Sequence, residues 1–136
     1  MPSVSRERSL PVIDPAARLP HRNPFLFLDR VTRLEPGVSA EATVLVTHVP
    51  ASSPLLLVEA MAQLAGVAAI EREGEIGSLA AIDRAEFLVP VAPGDCLHVA
   101  VRIVKAFGRL VLCEGEITVA GRTVATAMLT LGVGAP

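Results

Sequence analysis

The sequence predicts an α+β fold, with an antiparallel sheet wrapped around one long central helix. Three observations predict it. The stretch Ser52–Ile70, "SSPLLLVEAMAQLAGVAAI", is apolar on every side at helical spacing. Alternating apolar and polar runs separated by short glycine turns follow it, and two more such runs precede it. Apolar residues make up 51% of the 136 residues and charged residues only 19%, which suits one domain with a sizeable core.

The first 18 residues read as an irregular, proline-broken lead-in with no apolar h-region of a secretory signal, and residues 19–136 as the single domain. "FLFLDRVTRLE" and "VSAEATVLVT" flank Pro36-Gly37, a turn signal between two strands. The helix comes next. Ser53 suits its N-cap, and Pro54 its first position, where the missing N–H costs nothing. Leu, Ala, Met, Glu and Gln then favour it. Charges return at Glu71–Glu73, and Gly74 offers a stop. The run is short for a bilayer and is interrupted by Glu59 and Gln63, so a core helix is the better reading than a membrane span.

"SLAAIDRAEFL" supplies a strand before the break at "VPVAPGD". "LHVAVRIVKAF" alternates, with Leu97, Val99, Val101 and Ile103 on one face and His98 and Arg102 on the other. A turn at Gly108-Arg109 leads into "LVLCEGEITV", and Ala120-Gly121 makes a hairpin turn into "RTVATAMLTL". Short turns imply antiparallel neighbours. Strand, strand, long helix and four strands is the order of the hotdog fold. One sheet cannot cover such a helix on every side, so two subunits are expected to pair.

Several function classes are disfavoured. A net charge of −2 gives no basic field for nucleic acid, and with four Phe and no Trp or Tyr there is no stacking platform. Cys96 and Cys113 have neither a C-x-x-C spacing nor a nearby His pair, so no metal site is expected; two thiols in apolar segments suit a reducing cytoplasm.

"LPHRNPFLFLDRVTRLEPG" (Leu19–Gly37), "LLVEAMAQLAG" (Leu56–Gly66), "AAIDRAEFLVPVAPGD" (Ala80–Asp95) and "GRTVATAMLTL" (Gly121–Leu131) occur in that order. Together they resemble the 3-hydroxyacyl-acyl-carrier-protein dehydratases of the FabA/FabZ hotdog type, enzymes of fatty acid biosynthesis. The resemblance implies loss of water from a 3-hydroxyacyl thioester to give the trans-2-enoyl thioester, with no metal or organic cofactor. It also implies a histidine base and a helix carboxyl group that come from different subunits of a dimer. Glu59 falls on the helix carboxyl position. His48, in "THVPASSPLLL", falls at the start of the histidine loop. The family's second histidine and Pro-Gly pair are missing there, and eleven positions separate His48 from Glu59, so the active-site loop is shortened.

Glu59 lies beyond the first turn, where help from the helix dipole has faded, and on a helix with no solvent stripe. A carboxyl group there is costly unless paired, which points to chemistry. Gln63, at i+4, either orients Glu59 or touches substrate. Backbone N–H groups near Leu55 would polarise the thioester carbonyl. His48 is either the base or a surface residue at a strand end. His21 reads as part of a structural loop, and His98 as exposed. Asp83, Arg84 and Asp95 read as turn and strand-end residues. Arg22, Arg84, Arg102, Lys105 and Arg109 either form a basic patch for an acidic carrier protein or are scattered solvated charges. A thioesterase on the same scaffold and a non-catalytic acyl-binding or partner subunit remain alternatives, as does coenzyme A as the carrier.

Overall fold

The computed structural model describes residues 14–15, 28–47 and 53–134. Among the described residues six strands and one α-helix follow one another: β1 (Arg30–Glu35), β2 (Ser39–Leu45), α1 (Pro54–Ala69), β3 (Ile76–Phe87), β4 (Cys96–Phe107), β5 (Leu110–Val119) and β6 (Arg122–Gly134). They form one antiparallel sheet in the order β1-β2-β4-β5-β6-β3, curled around α1. This is the hotdog architecture that the sequence predicts.

Alternation decides which face turns inward. Ala40, Ala42 and Val44 of β2, Leu97, Val99 and Val101 of β4, and Val111, Cys113 and Ile117 of β5 are buried against the helix. β6 adds Ala125, Ala127, Leu129 and Leu131. Their neighbours Glu41, His98, Arg102, Glu114 and Glu116 form a charged outer face. Ala120 (φ 50°) and Gly121 (φ 80°) both take left-handed conformations, as a two-residue hairpin of the I′ type requires, and Val119 pairs with Arg122 across it.

The helix ends differ in detail from the sequence reading. Ser53 holds the N-cap position with Pro54 behind it, but its side chain makes no cap hydrogen bond. At the other end the chain leaves the helix at Ile70 in an extended conformation, and Gly74 (φ 86°) serves the turn that follows. Gly37 (φ 77°) turns β1 into β2 and donates its N–H to the Ala68 carbonyl at 2.7 Å, which ties that turn to the last helical turn.

Two glycines let the sheet close on the helix. A Cβ on Gly115 would lie 2.9 Å from Met61 Sδ, and one on Gly77 would lie 3.2 Å from Gly66 Cα. Beyond its first turn almost every side chain of α1 is buried within a single chain, Met61, Leu64 and Val67 completely. The expectation that one sheet leaves the helix uncovered is therefore corrected. A strongly curled sheet wraps it. Uncovered apolar side chains include Leu79, Ile82 and Phe87 of β3, an edge strand that is exposed along most of its length. Among the described residues no helix is long and apolar enough to cross a membrane.

Candidate active site

One polar pair interrupts the apolar helix. Glu59 is half-buried, and Gln63, one turn on, is only 2% exposed. The Gln63 amide Nε2–H donates to Glu59 Oε2 at 3.2 Å. The i, i+4 spacing puts both side chains on one face, so the bond costs no backbone distortion. A buried amide demands partners, and here it uses one donor to fix the rotamer of the carboxylate.

Leu55 is 70% exposed at the open start of the helix. Pro54 has no N–H, and the Ser53 hydroxyl makes no cap bond. The first turn therefore leaves backbone N–H groups with no partner inside the helix.

His48 lies outside the described residues, as do His21 and Arg22. The strand that leads into His48 is well held. Val46 N–H donates to the Asp95 carbonyl at 2.9 Å, and Gly94 N–H donates to the Val46 carbonyl at 2.7 Å. Asp95 Oδ2 accepts from Ala92 N–H at 2.9 Å and closes the turn in which Gly94 takes φ 96°. Asp29 Oδ2 accepts from Leu45 N–H at 2.6 Å. Asp95 was legible only as a turn residue. Its Pro-Gly-Asp turn also clamps the exit of β2, and the sole signal for that was the motif itself.

Other candidates lie elsewhere. His98 Nε2 sits 2.9 Å from Glu41 Oε1 on the outer face, across the sheet from the helix. Arg84 pairs with Glu86 at 3.4 Å and Arg102 with Glu114 at 2.8 Å. Arg84 on β3 and Arg102 on β4 are three strand spacings apart, about 14 Å at ~4.8 Å each. Lys105 Nζ lies 6.0 Å from the centre of the Phe107 ring. An open groove lined by Arg84, Glu86, Glu114, Glu116, Thr126 and Met128 also belongs to the outer face and has no access to Glu59. Cys113 is buried, and burial pushes its thiol up to about 11, which leaves it a poor nucleophile.

Residues 19–128 match the family model of the FabA-like domain. This chain belongs to that family. Among its FabA-like relatives, the 3-hydroxyacyl-[acyl-carrier-protein] dehydratase FabZ of Bacillus subtilis (strain 168) is 36% identical over 130 residues, covering 85% of this chain and 92% of that protein. The protein of the same name from Roseiflexus castenholzii is 40% identical over 127 residues, covering 74% and 89%. Solved structures agree on the fold. The dehydratase heterocomplex ApeI:P from Xenorhabdus doucetiae superposes with a TM-score of 0.73 at 20% identity, covering 88% of this chain and 90% of that one. A hypothetical thioesterase protein with coenzyme A from Streptococcus pneumoniae TIGR4 superposes with a TM-score of 0.65 at 18% identity, covering 77% and 84%. A dehydratase complex and a hypothetical thioesterase share this fold, and a scaffold alone does not choose the reaction.

Proposed function

We propose that this FabA-like protein is a 3-hydroxyacyl-acyl-carrier-protein dehydratase. It converts a 3-hydroxyacyl thioester into the trans-2-enoyl thioester and water. The observation that carries this reading is the Glu59–Gln63 pair on an otherwise apolar, buried helix, at the position of the family's helix carboxyl group. His48 takes the proton from the carbon next to the thioester carbonyl. The electron pair released forms the C2–C3 double bond, the C3–O bond breaks, and Glu59 delivers a proton to the departing hydroxyl. N–H groups near Leu55 hold the carbonyl oxygen as it gains charge. Gln63 keeps Glu59 in place.

The reading includes a homodimer in which His48 and Glu59 meet across the interface. β3 supports it: a twelve-residue outer strand whose helix-side residues Leu79, Ile82 and Phe87 are exposed, Ile82 by 46%. An open apolar edge of that length invites another strand. The same reading places the enzyme in the cytoplasm, where free thiols such as Cys96 and Cys113 persist.

The test is incubation with 3-hydroxyacyl and enoyl thioesters of both acyl carrier protein and coenzyme A, following enoyl absorbance and free thiol together. Enoyl formation without thiol release is expected, faster on the carrier protein. Thiol release without enoyl would make the protein a thioesterase. Neither product, with acyl-carrier binding retained, would make it a non-catalytic subunit.

A further inference from the structure

The last residues of β2 are held from both sides, and one of the two grips comes from a side chain. Neighbouring residues of a strand turn their backbone groups to opposite edges. Thr43 and Leu45 turn theirs towards the start of β1, and Val46 turns its own towards the turn before β4. β1 begins at Arg30 and pairs with β2 no further along than Thr43. Beyond that point Asp29 takes over. Its N–H donates to the Thr43 carbonyl at 3.0 Å, and its Oδ2 accepts from the Leu45 N–H at 2.6 Å. One residue thus grips β2 twice along the same edge, by main chain and by side chain. On the other edge the Asp95 carbonyl and the Gly94 N–H hold both backbone groups of Val46. The side chain of Asp95 closes its own turn on the Ala92 N–H, so the carboxylate that reaches β2 is that of Asp29.

We propose that Asp29 is a positioning residue for the dehydration: its carboxylate fixes the direction in which the chain leaves β2, and so sets the place of the base His48, three residues beyond Leu45. The inference rests on the dehydratase reading above and adds a residue that this reading does not use. Side chains alternate along a strand, and Val44 and Val46 are buried on the helix side. A slip of one residue at this exit would therefore exchange the faces of everything that follows. Holding Leu45 from one edge and Val46 from the other opposes such a slip, and opposes pivoting about either edge. The bond suits that task. A backbone N–H bonds a carboxylate about twice as strongly as a neutral acceptor, and 2.6 Å is short for such a bond. Asp29 is exposed, so water can satisfy the Leu45 N–H in its absence, and little stability rests on the contact. Placement is the larger effect, because a displacement of about 1 Å at a reacting group can cost on the order of 10² in rate.

Steady-state dehydration of a 3-hydroxyacyl thioester on acyl carrier protein, with a melting curve for every variant, tests the role. Asp29→Ala should melt close to the parent, lower kcat about tenfold and leave KM within about threefold, because the group it places acts in the chemical step. Asp29→Asn keeps an acceptor oxygen and should bring kcat back to within about threefold of the parent. In a His48→Ala background, at high enzyme concentration, Asp29→Ala should lower the residual rate by less than about twofold, since a residue acting through His48 has nothing left to place. A rate indifferent to Asp29→Ala, a loss carried by KM, or an Asn variant as slow as the Ala variant would each overturn the positioning role while leaving the dehydratase reading intact. So would an Ala variant that does not fold, or an equal further loss in the His48→Ala background. A parent that forms no enoyl thioester, or a His48→Ala variant at the parent's rate, would overturn the reading itself, and the role of Asp29 with it.

Discussion

The two faces of the sheet carry the same kinds of polar pair and use them differently. On the outer face Arg102 meets Glu114 at 2.8 Å, Thr123 donates to Glu116 at 2.8 Å, and Thr130 donates to Asp83 at 2.8 Å. All these carboxylates stand in solvent, where water replaces a lost partner at little cost. On the helix side Gln63 and Glu59 meet at a longer 3.2 Å, with Gln63 only 2% exposed. Bond length therefore says little about consequence. Burial decides, because a buried polar group left without its partner keeps the whole desolvation cost.

The strongest way to break that comparison is through the reaction. His48→Ala should lower dehydration by about 10² to 10⁴, the usual worth of a general base, and change any simple thioester hydrolysis less. Glu59→Gln should reduce turnover on a similar scale, since an amide cannot deliver the proton. It should also melt at the same temperature as the parent or higher, because a carboxyl group placed for chemistry costs about 1–3 kcal/mol when imperfectly compensated. A rate and a melting curve on one sample check both halves. Stability lost with rate retained would make Glu59 a structural residue.

Gln63→Leu sharpens the contrast one step down. It removes the amide but keeps the volume roughly constant, so Glu59 stays half-buried with one donor fewer. Denaturant titration should show a loss of about 1–3 kcal/mol. The rate should fall with the Michaelis constant little changed, because the carboxyl group is misplaced and not removed. On the outer face Arg102→Ala should cost less than about 1 kcal/mol in the same titration and leave the rate alone. A loss at Arg102 equal to that at Gln63 would refute the argument from burial.

The cysteines repeat the contrast on the smallest scale. Cys96 is exposed, and Cys113 is buried with its thiol pushed up to about 11. A thiol reagent near pH 8 should label one cysteine in the native protein and the second only on unfolding. The folded state holds Cys113 as the neutral thiol, because burial raises its pKa above the ordinary value of 9.0. Its contribution to stability is complete below about pH 9 and is lost as pH rises towards 11, so alkaline melting should ease in that window.

Much of this was legible in the order of residues alone. Period-two alternation marked the strands of the sheet, Ser53-Pro54 marked the helix start, and the spacing of Glu59 and Gln63 put them on one face. These are local properties, set by backbone geometry over a few residues. The motifs carried the family as well. The sheet order was not legible, because strand pairing joins residues far apart in the chain. Nothing within "SLAAIDRAEFL" tells that β3 lies outermost while β5 lies inside. The curl of the sheet was hidden for the same reason. It depends on Gly115 admitting Met61 and on Gly77 admitting Gly66, contacts across 54 and 11 positions of sequence. So the sequence by itself determined the elements, the family and the two polar residues on the helix. Only the tertiary structure decided that a single chain buries that helix, that the Pro-Gly-Asp turn holds the strand leading to His48, and that β3 lies at an edge of the sheet.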